Sequence, residues 1–429
     1  MTIDISPASD DPSAICRDFD HVVFYVSSPK LVANYLCRTF GFSVYAYKGL
    51  ETGSKDISAT VIKNGNVHFV LMGAIRPLHK QPKDQMIDNI HKHIATHGDG
   101  VKDVAFQTDD INLIIKRLAE KDHSHLIVDG PNTITDEAGT IKTVTIRGMN
   151  DTVHTLVDRT QYKGFLPGFK IVEQEDALSG TSPKVDMAAI DHCVQNEDWN
   201  QMLKTCEFYK ENFNFHVFWS VDENQIYTQY SALKSTVMSS ENEHIKMPVN
   251  EPAIGLKKSQ IEEFIEFNNG PGIQHIAIRV DNIIDTIKKM REMGVQFIDV
   301  PDEYYVNLEQ KLKSSKHPKI KETLKSVKKL GILVDFDEKG YLLQLFTKPI
   351  FERPSFFFEI IQRNNYNGFG AGNFKGLFEV LEKDQEKRGN LTAQDVKDRT
   401  RGLPPKPKTT NFKSEITDDD IADAINYLV

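Results

Sequence analysis

An internal repeat constrains the fold of this chain more than any other feature of its 429 residues. Residues 19–23 read FDHVV and are followed by a helical pattern over residues 29–40. Residues 190–194 read IDHCV and are followed by a helical pattern over residues 200–212. A unit that recurs in this order predicts a structural motif built twice, rather than one large irregular domain.

Two further pairs of segments support the duplication. Residues 97–106 match residues 269–278, and each segment leads into an amphipathic helix. Residues 151–169 match residues 355–374, where YKGF in the first copy corresponds to YNGF in the second. The second copy is longer because of a lysine-rich stretch over residues 305–329, which we interpret as inserted helix.

Each copy combines helices with several short, β-branched strands, which predicts an α+β fold with two domains. The connection between the copies is mostly polar and contains glycine, serine and proline. We expect a flexible N-terminal segment at 1–18, a first domain at 19–172, a linker at 173–184, a second domain at 185–391 and a C-terminal tail at 392–429.

Composition excludes several classes of function. The formal net charge is -9, and we find no local basic patch, so nucleic acid is not an expected partner. No apolar run approaches the roughly 18 residues of a membrane span, and the start of the chain is polar, so we expect a cytoplasmic protein without a membrane partner. The 4 cysteines form no Cys-x-x-Cys pair, which leaves histidine and carboxylate as metal ligands.

Comparison of the two copies singles out one set of candidate metal ligands. Three equivalent strand positions carry His192, His275 and Glu359 in the second copy, and His21, Asp103 and Thr155 in the first. Two imidazoles and one carboxylate on a rigid sheet are typical of non-haem Fe(II) sites that leave adjacent coordination positions open. We therefore expect metal in the second copy and a metal-free scaffold in the first.

The surroundings of Glu359 strengthen this interpretation. Taken alone, His192 would most often be a hydrogen-bonded core residue. Glu359, however, lies within the apolar string FFFEII at residues 356–361, where a bare carboxylate would incur a large desolvation cost. A cation beside Glu359 would remove that cost.

A second histidine-rich stretch lies in the first copy. His91, His93 and His97 stand beside a lysine in a helical pattern. We interpret this stretch as the solvated face of an exposed helix rather than a site.

Five strings carry a resemblance to a known family. They are KMPVNEP at 246–252, GIQHIA at 272–277, DFDEKGYLLQLF at 335–346, FFEIIQR at 357–363 and GFGAGNF at 368–374. With them, residues 19–391 resemble the 4-hydroxyphenylpyruvate dioxygenases of the vicinal-oxygen-chelate (glyoxalase/bleomycin-resistance-like) superfamily. The resemblance implies duplicated half-barrels built from βαβββ units.

The resemblance also implies an activity and a cofactor. The family's metal ligands fall on His192, His275 and Glu359, which implies one Fe(II) per chain. The implied reaction uses O2 to convert 4-hydroxyphenylpyruvate to homogentisate and CO2, in tyrosine and phenylalanine catabolism. It comprises oxidative decarboxylation, ring hydroxylation and side-chain migration.

Pocket residues follow from the same resemblance. The implied polar contacts to the substrate are Ser235, Asn250, Gln260, Gln274 and Gln344. The implied pocket walls are Pro248, Phe346, Phe357, Phe369, Asn373 and Phe374. Without the resemblance, the phenylalanines would be read as ordinary core residues, and the glutamines as edge amides.

Other functions stay open on sequence grounds. A 4-hydroxymandelate synthase would share the fold and ligands but hydroxylate the benzylic carbon. A glyoxalase-like isomerase or a ring-cleaving dioxygenase could use the same scaffold, but an isomerase would usually need a fourth protein ligand, which the repeat comparison does not offer. A duplicated, non-catalytic binding module would use the same histidines for core hydrogen bonds. The resemblance further suggests a homodimer formed through the first half.

Overall fold

The computed structural model describes residues 15–77, 85–172, 184–221, 230–314, 316, 319–369 and 374–394. Within these ranges the strands form two sheets, one for each copy of the repeat. No helix in this part of the chain is long and apolar enough to cross a membrane.

The first sheet has nine strands in the order β6-β7-β8-β5-β1-β4-β3-β2-β9. Its strands are β1 Asp18–Tyr25, β2 Ser43–Lys48, β3 Ile57–Asn64, β4 Val67–Ala74, β5 Gly100–Gln107, β6 Ile127–Asp136, β7 Gly139–Arg147, β8 Val153–Tyr162 and β9 Lys170–Ile171. Its helices are α1 Pro29–Phe40, α2 Gln85–His97 and α3 Ile111–Glu120.

The second sheet has eight strands in the order β11-β12-β13-β10-β14-β17-β16-β15. Its strands are β10 Ala189–Asn196, β11 His216–Val221, β12 Ala232–Ser239, β13 Lys246–Ala253, β14 Gly272–Arg279, β15 Leu333–Phe336, β16 Tyr341–Phe346 and β17 Phe357–Asn364. Its helices are α4 Met202–Phe213, α5 Gln260–Asn268, α6 Ile283–Glu292, α7 Asp302–Ser314, α8 Leu324–Leu330 and α9 Phe374–Lys387.

Each sheet contains two βαβββ units joined edge to edge, and the first sheet has the short strand β9 in addition, paired with β2. In the first sheet, β1 pairs in parallel with β4, β5 pairs in parallel with β8, and antiparallel pairing of β1 with β5 joins the units. The second sheet repeats this pattern, with β10 and β14 at the join and the same register shifts in the joining pair. The predicted fold class is therefore confirmed, and α7 and α8 lie in the lysine-rich stretch that we interpreted as inserted helix.

Helix ends are specified locally, and equivalent ends use equivalent chemistry. The first helix of each half stops at a residue in the left-handed conformation, Gly41 with φ 72° and Asn214 with φ 60°, residue types that tolerate this backbone. At the starts of α3 and α6, Asp110 and Asn282 cap the helix by accepting a hydrogen bond from a backbone N–H.

The two halves share a continuous apolar core. Phe356 and Phe358, three residues and one residue before Glu359, point into the first half. The ring of Phe358 lies 5.3 Å from that of Phe40 and 5.6 Å from that of Phe69, and Phe356 lies 5.2 Å from Phe24. Rings at these separations and tilts contribute packing energy beyond the area they bury. Strand β17 is thereby held on one face by the other half of the molecule.

The predicted domain limits stay a prediction. Nearly all of the proposed linker, the segment at 1–14 and the tail beyond residue 394 lie outside the described residues. Residues 392–394 pack on the second half, where the Gln394 amide donates to Glu262 at 2.9 Å.

Candidate metal centre and active-site cavity

Three neighbouring strands bring His192, His275 and Glu359 onto one face of the second sheet. In the ladder, His192 on β10 and Glu359 on β17 both pair with Ala277 on β14. His275 precedes Ala277 by two residues, and since side chains alternate along a strand, it points to the same face. The small side chain of Ala277 leaves the space between the three polar groups open.

The polar atoms of this cluster converge. His192 Nε2 lies 3.2 Å and His275 Nε2 lies 3.4 Å from the same Glu359 oxygen, Oε2. The second nitrogen of each ring is already engaged, because His192 Nδ1 lies 2.8 Å from an Asp191 carboxylate oxygen and His275 Nδ1 lies 2.9 Å from the Gln274 amide oxygen. Two neutral imidazoles held in this way point their Nε2 lone pairs at a carboxylate.

With both rings neutral, a cation between these acceptors would satisfy all three. The other oxygen of Glu359, Oε1, is buried and has no hydrogen-bond partner among the described residues. The donor set of two imidazole nitrogens and one carboxylate suits a transition metal, and the separations of 3.2 and 3.4 Å match two ligand atoms bound to one ion at about 2.0–2.2 Å each. The residues therefore fit a metal cofactor.

The electrostatics keep Glu359 ionised. Burial by itself would raise the pKa of Glu359, but His192 and His275 outweigh it and hold this pKa below its ordinary value. Burial would lower the pKa of His192, but the carboxylates of Glu359 and Asp191 raise it above its ordinary value. For His275 burial prevails, and its pKa lies below its ordinary value. The cluster thus holds a buried negative charge that a metal ion would neutralise.

An ion pair holds His192 from behind. The carboxylate of Asp191 accepts two hydrogen bonds from the Arg363 guanidinium, each 2.8 Å long, while its Oδ1 faces His192. Arg363 also donates to the backbone oxygens of Tyr366 and Gly368, and its guanidinium lies over the ring of Phe369. Arg363 therefore connects the imidazole of His192 to the turn that carries Phe369.

The first half retains this support around His21. Asp20 lies 2.6 Å from His21 Nδ1 and accepts hydrogen bonds of 2.6 and 2.7 Å from Arg159, the counterpart of Arg363. The ring of Phe165, the counterpart of Phe369, lies 5.3 Å from His21.

The ligand set itself differs in the first half. Thr155 engages both oxygens of Asp103, through its hydroxyl at 2.5 Å and its backbone N–H at 3.0 Å. These hydrogen bonds leave Asp103 satisfied without a metal. That the first half is a metal-free scaffold stays a prediction.

An open cavity lies over the second-half cluster. It is lined by His192, Val194, Trp219, Ser235, Val237, Pro248, Asn250, His275, Gln344, Phe346, Glu359 and Phe369. Six of the expected pocket residues therefore share the cavity with the three expected ligands. Ser235 pairs with Asn250 in the β12–β13 ladder, and Phe346 pairs with Glu359 in the β16–β17 ladder.

Three other expected pocket residues lie outside the cavity wall. Gln274 accepts from His275 and donates to Gln260, so both amides lie behind the His275 ring. Phe357 stacks on the same ring at 4.8 Å. Their position supports orientation of His275. Asn373 and the side chain of Phe374 lie outside the described residues.

Sequence reasoning missed several functional candidates. Val194, Trp219 and Val237 line the cavity because their strands curl around it, and no local pattern marks them. Arg363 had a usable signal, since it matches Arg159 in the repeat.

The interpretation of the histidine-rich stretch in the first half was wrong. His93 is only 5% exposed, and His97 is half-buried against the second half, where its Nδ1 lies 2.6 Å from the backbone oxygen of Asn268. The helix packs at the junction between the sheets, which buries a face that polar composition alone marks as exposed.

Comparison with known proteins agrees with this geometry. The model of the Glyoxalase/Bleomycin resistance protein/Dioxygenase superfamily matches residues 189–345. A 4-hydroxyphenylpyruvate dioxygenase from Yarrowia lipolytica is 49% identical over 87% of this chain and 94% of its own length. One from Neurospora crassa is 48% identical over 87% of this chain and 92% of its own length. This chain belongs to the 4-hydroxyphenylpyruvate dioxygenase family. It is therefore an enzyme of the dioxygenase class, and both the family and the donor set indicate a metal cofactor.

A solved structure supports the same fold. A variant of 4-hydroxymandelate synthase from Streptomyces coelicolor superimposes with a TM-score of 0.70 at 26% identity, over 86% of this chain and 99% of that one. The sequence identity of this chain to the 4-hydroxyphenylpyruvate dioxygenases above is thus considerably higher than to this 4-hydroxymandelate synthase variant.

Proposed function

We propose that this chain converts 4-hydroxyphenylpyruvate and O2 to homogentisate and CO2, with one Fe(II) held by His192, His275 and Glu359. The observation that carries the proposal is the convergence of these three side chains on the floor of a cavity, in a chain 49% identical to a curated 4-hydroxyphenylpyruvate dioxygenase. The stoichiometry balances, because both oxygen atoms of O2 enter the products and the α-keto acid supplies the reducing electrons.

Charge supports Fe(II) with an α-keto acid. The ion at +2, Glu359 at −1 and a substrate carboxylate at −1 sum to zero, so the complex is neutral in a buried cavity. A metal held by His192, His275 and Glu359 would keep coordination positions open for the keto acid and O2. When bound, the metal supplies the O2 activation that couples decarboxylation to hydroxylation.

The side chains of the cavity bind and orient the substrate. Ser235, Asn250 and Gln344 offer neutral hydrogen-bonding groups that can hold a phenol or carboxylate without adding charge. Phe346 and Phe369 offer faces and edges for the aromatic ring of the substrate. The same apolar rings exclude water during the reaction.

Product analysis tests the proposal. The purified chain is incubated with Fe(II), ascorbate, O2 and 4-hydroxyphenylpyruvate, and the products are identified by mass spectrometry. We expect homogentisate, one CO2 per turnover, and loss of both products in His275→Ala. Accumulation of 4-hydroxymandelate would instead assign the benzylic hydroxylation. Absence of turnover by an iron-loaded chain would support the binding-module alternative.

We further propose a place and an assembly for the enzyme. Homogentisate formation would put it in tyrosine and phenylalanine catabolism in the cytoplasm, which subcellular fractionation tests.

We propose a homodimer through the first half, where Leu31 and Leu50 are 70% and 60% exposed. Light scattering after gel filtration should give twice the 48.7 kDa chain mass, and Leu31→Glu should reduce it to one chain.

Within each chain, we propose that residues 19–172 form a scaffold that holds no metal at His21, Asp103 and Thr155, the positions equivalent to the catalytic ligands, and that residues 185–391 form the catalytic domain. The hydrogen bonds from Thr155 to Asp103 support the first assignment. An iron content of one per chain, unchanged in His21→Ala, is the expected result.

A further inference from the structure

A second cluster of metal-binding side chains lies in the first half, away from the cavity. His93 and His97 stand four residues apart on α2, so both project from the same helical face. Asp151, in the turn between β7 and β8, reaches both rings: its Oδ2 lies 3.2 Å from His93 Nδ1 and 3.4 Å from His97 Nε2. The ring centroids lie 4.9 Å apart.

The hydrogen-bond partners of His97 leave one of its nitrogens facing a carboxylate, an arrangement that a cation would stabilise. Its Nδ1 lies 2.6 Å from the backbone oxygen of Asn268, which can only accept, so Nδ1 carries the proton. In a neutral ring, Nε2 then presents a lone pair to the Asp151 carboxylate at 3.4 Å. Two acceptors at this distance repel each other unless a positive charge lies between them.

His93 adds a second, independent observation. It is 5% exposed, and its Nε2 has no hydrogen-bond partner among the described residues. The ligand atom in the cluster would be the other nitrogen, Nδ1, which lies 3.2 Å from Asp151 Oδ2. Because Nε2 makes no hydrogen bond among the described residues, it is free to carry the ring proton, which leaves the Nδ1 lone pair for an ion.

The geometry repeats that of the catalytic cluster. There, too, two imidazole nitrogens lie 3.2 and 3.4 Å from one carboxylate oxygen. Two ligand atoms bound at about 2.0–2.2 Å to one ion are separated by about 3.0–3.5 Å. The second oxygen of Asp151, Oδ1, is held by Lys102 at 2.6 Å, in the way that a metal-binding carboxylate is commonly oriented by a neighbouring donor.

An ion can reach the cluster. The side chain of Asp151 is 49% exposed, so solvent reaches the cluster directly. The cluster lines a small pocket together with Asn268, Pro271 and Ser355 of the second half. The cluster therefore lies where the two halves meet, on the solvent side.

We propose that His93, His97 and Asp151 form a second divalent-metal site, of the zinc class, at the junction between the two halves. Two imidazoles, one carboxylate and a water give the four-coordinate shell that Zn²⁺ favours. The ion ties α2 to the β7–β8 turn, and through His97 it strengthens the hydrogen bond to Asn268. Its role is structural, and it is separate from the proposed oxidation chemistry.

Zinc stoichiometry in matched variants tests the site. Chelator-treated chain is dialysed against Zn²⁺, and bound metal is measured by mass spectrometry. We expect two zinc ions per chain for the unmodified protein, one for His97→Gln, one for His275→Gln and none for the double variant. His91→Gln is the matched control on the same helix, because His91 Nε2 lies 2.9 Å from the Arg76 backbone oxygen, outside the cluster. It should retain two.

A thermal readout accompanies the stoichiometry. In the His275→Gln background, Zn²⁺ should raise the melting temperature, and adding His97→Gln should abolish that rise. Should the double variant fail to fold, the single variants His97→Gln and His91→Gln decide alone. One zinc in the unmodified chain, lost in His275→Gln and kept in His97→Gln, overturns this site. One zinc lost in His97→Gln and kept in His275→Gln supports it while contradicting the proposed catalytic site.

Discussion

Replacement of Asp191 by asparagine should weaken metal binding although none of the three proposed ligands is changed. Asp191 is 5% exposed in its side chain and serves two donors at once, His192 Nδ1 and the Arg363 guanidinium. An asparagine offers one oxygen and one NH2 group, so one of the two donors faces another donor. Loss of such an orienting partner typically costs 10–100-fold in metal affinity, or about 1.4–2.7 kcal/mol.

The same substitution also costs stability, because it leaves the Arg363 charge without its carboxylate. Breaking a buried ion pair from one side costs about 3–5 kcal/mol. The repeat supplies a control with nearly the same cost. Asp20→Asn leaves Arg159 equally unpaired, but its neighbour His21 is not one of the proposed ligands.

The assay measures Co²⁺ dissociation constants by chelator competition, alongside urea unfolding of the metal-free chains. Co²⁺ avoids oxidation during the titration and gives an absorption spectrum that reports ligand geometry. We expect similar unfolding free energies for Asp191→Asn and Asp20→Asn, with the affinity loss at the catalytic site confined to Asp191→Asn. Equal affinity losses in the two variants, or none in Asp191→Asn, would refute the orienting role of Asp191.

Three further outcomes can be checked. Glu359→Gln should remove the bound catalytic iron and reduce turnover at least 100-fold, since an amide lacks the charge that the site supplies; iron analysis and product formation measure both. Phe369→Ala should raise KM for 4-hydroxyphenylpyruvate, whereas Phe165→Ala should lower only stability; an unchanged KM in the former would remove Phe369 from the pocket. Burial lowers the pKa of His154 to about 4, against about 6.5 in the unfolded chain. Between these two pH values only the unfolded state binds the proton, so neutral His154 contributes up to about 3 kcal/mol to the free energy of unfolding above pH 6.5, and this contribution is lost as the pH falls towards 4. In His154→Gln, the free energy of unfolding should therefore change less with pH over this range than in the unmodified chain.

The repeat accounts for what sequence reasoning predicted well. Because the two halves repeat one motif, aligning them made Thr155 equivalent to Glu359. The strand pairing agrees, because Asp103 pairs with Val153, two residues before Thr155, just as His275 pairs with Phe357, two residues before Glu359. Register in a sheet with a buried face is strongly specified by its apolar pattern.

What sequence reasoning missed depends on contacts between distant segments. His97 and its partner Asn268 are 171 residues apart, and burial of α2 arises only when the halves dock. Trp219 enters the cavity wall through sheet curvature, which no periodicity encodes. Gln274 and His275 are adjacent on β14, so their side chains start on opposite faces of the sheet. The amide of Gln274 turns back to the His275 ring, and this local contact is not evident from the sequence pattern.

Adjacent side chains of strand β17 contact different halves of this duplicated chain. Glu359 on this strand belongs to the second half, whereas the ring of its neighbour Phe358 packs against the rings of Phe40 and Phe69 in the first half. The first half thus forms the apolar wall against which the strand that carries Glu359 is packed. A substitution at Phe40 or Phe69 would therefore shift the Glu359 carboxylate, although neither ring lines the cavity over it.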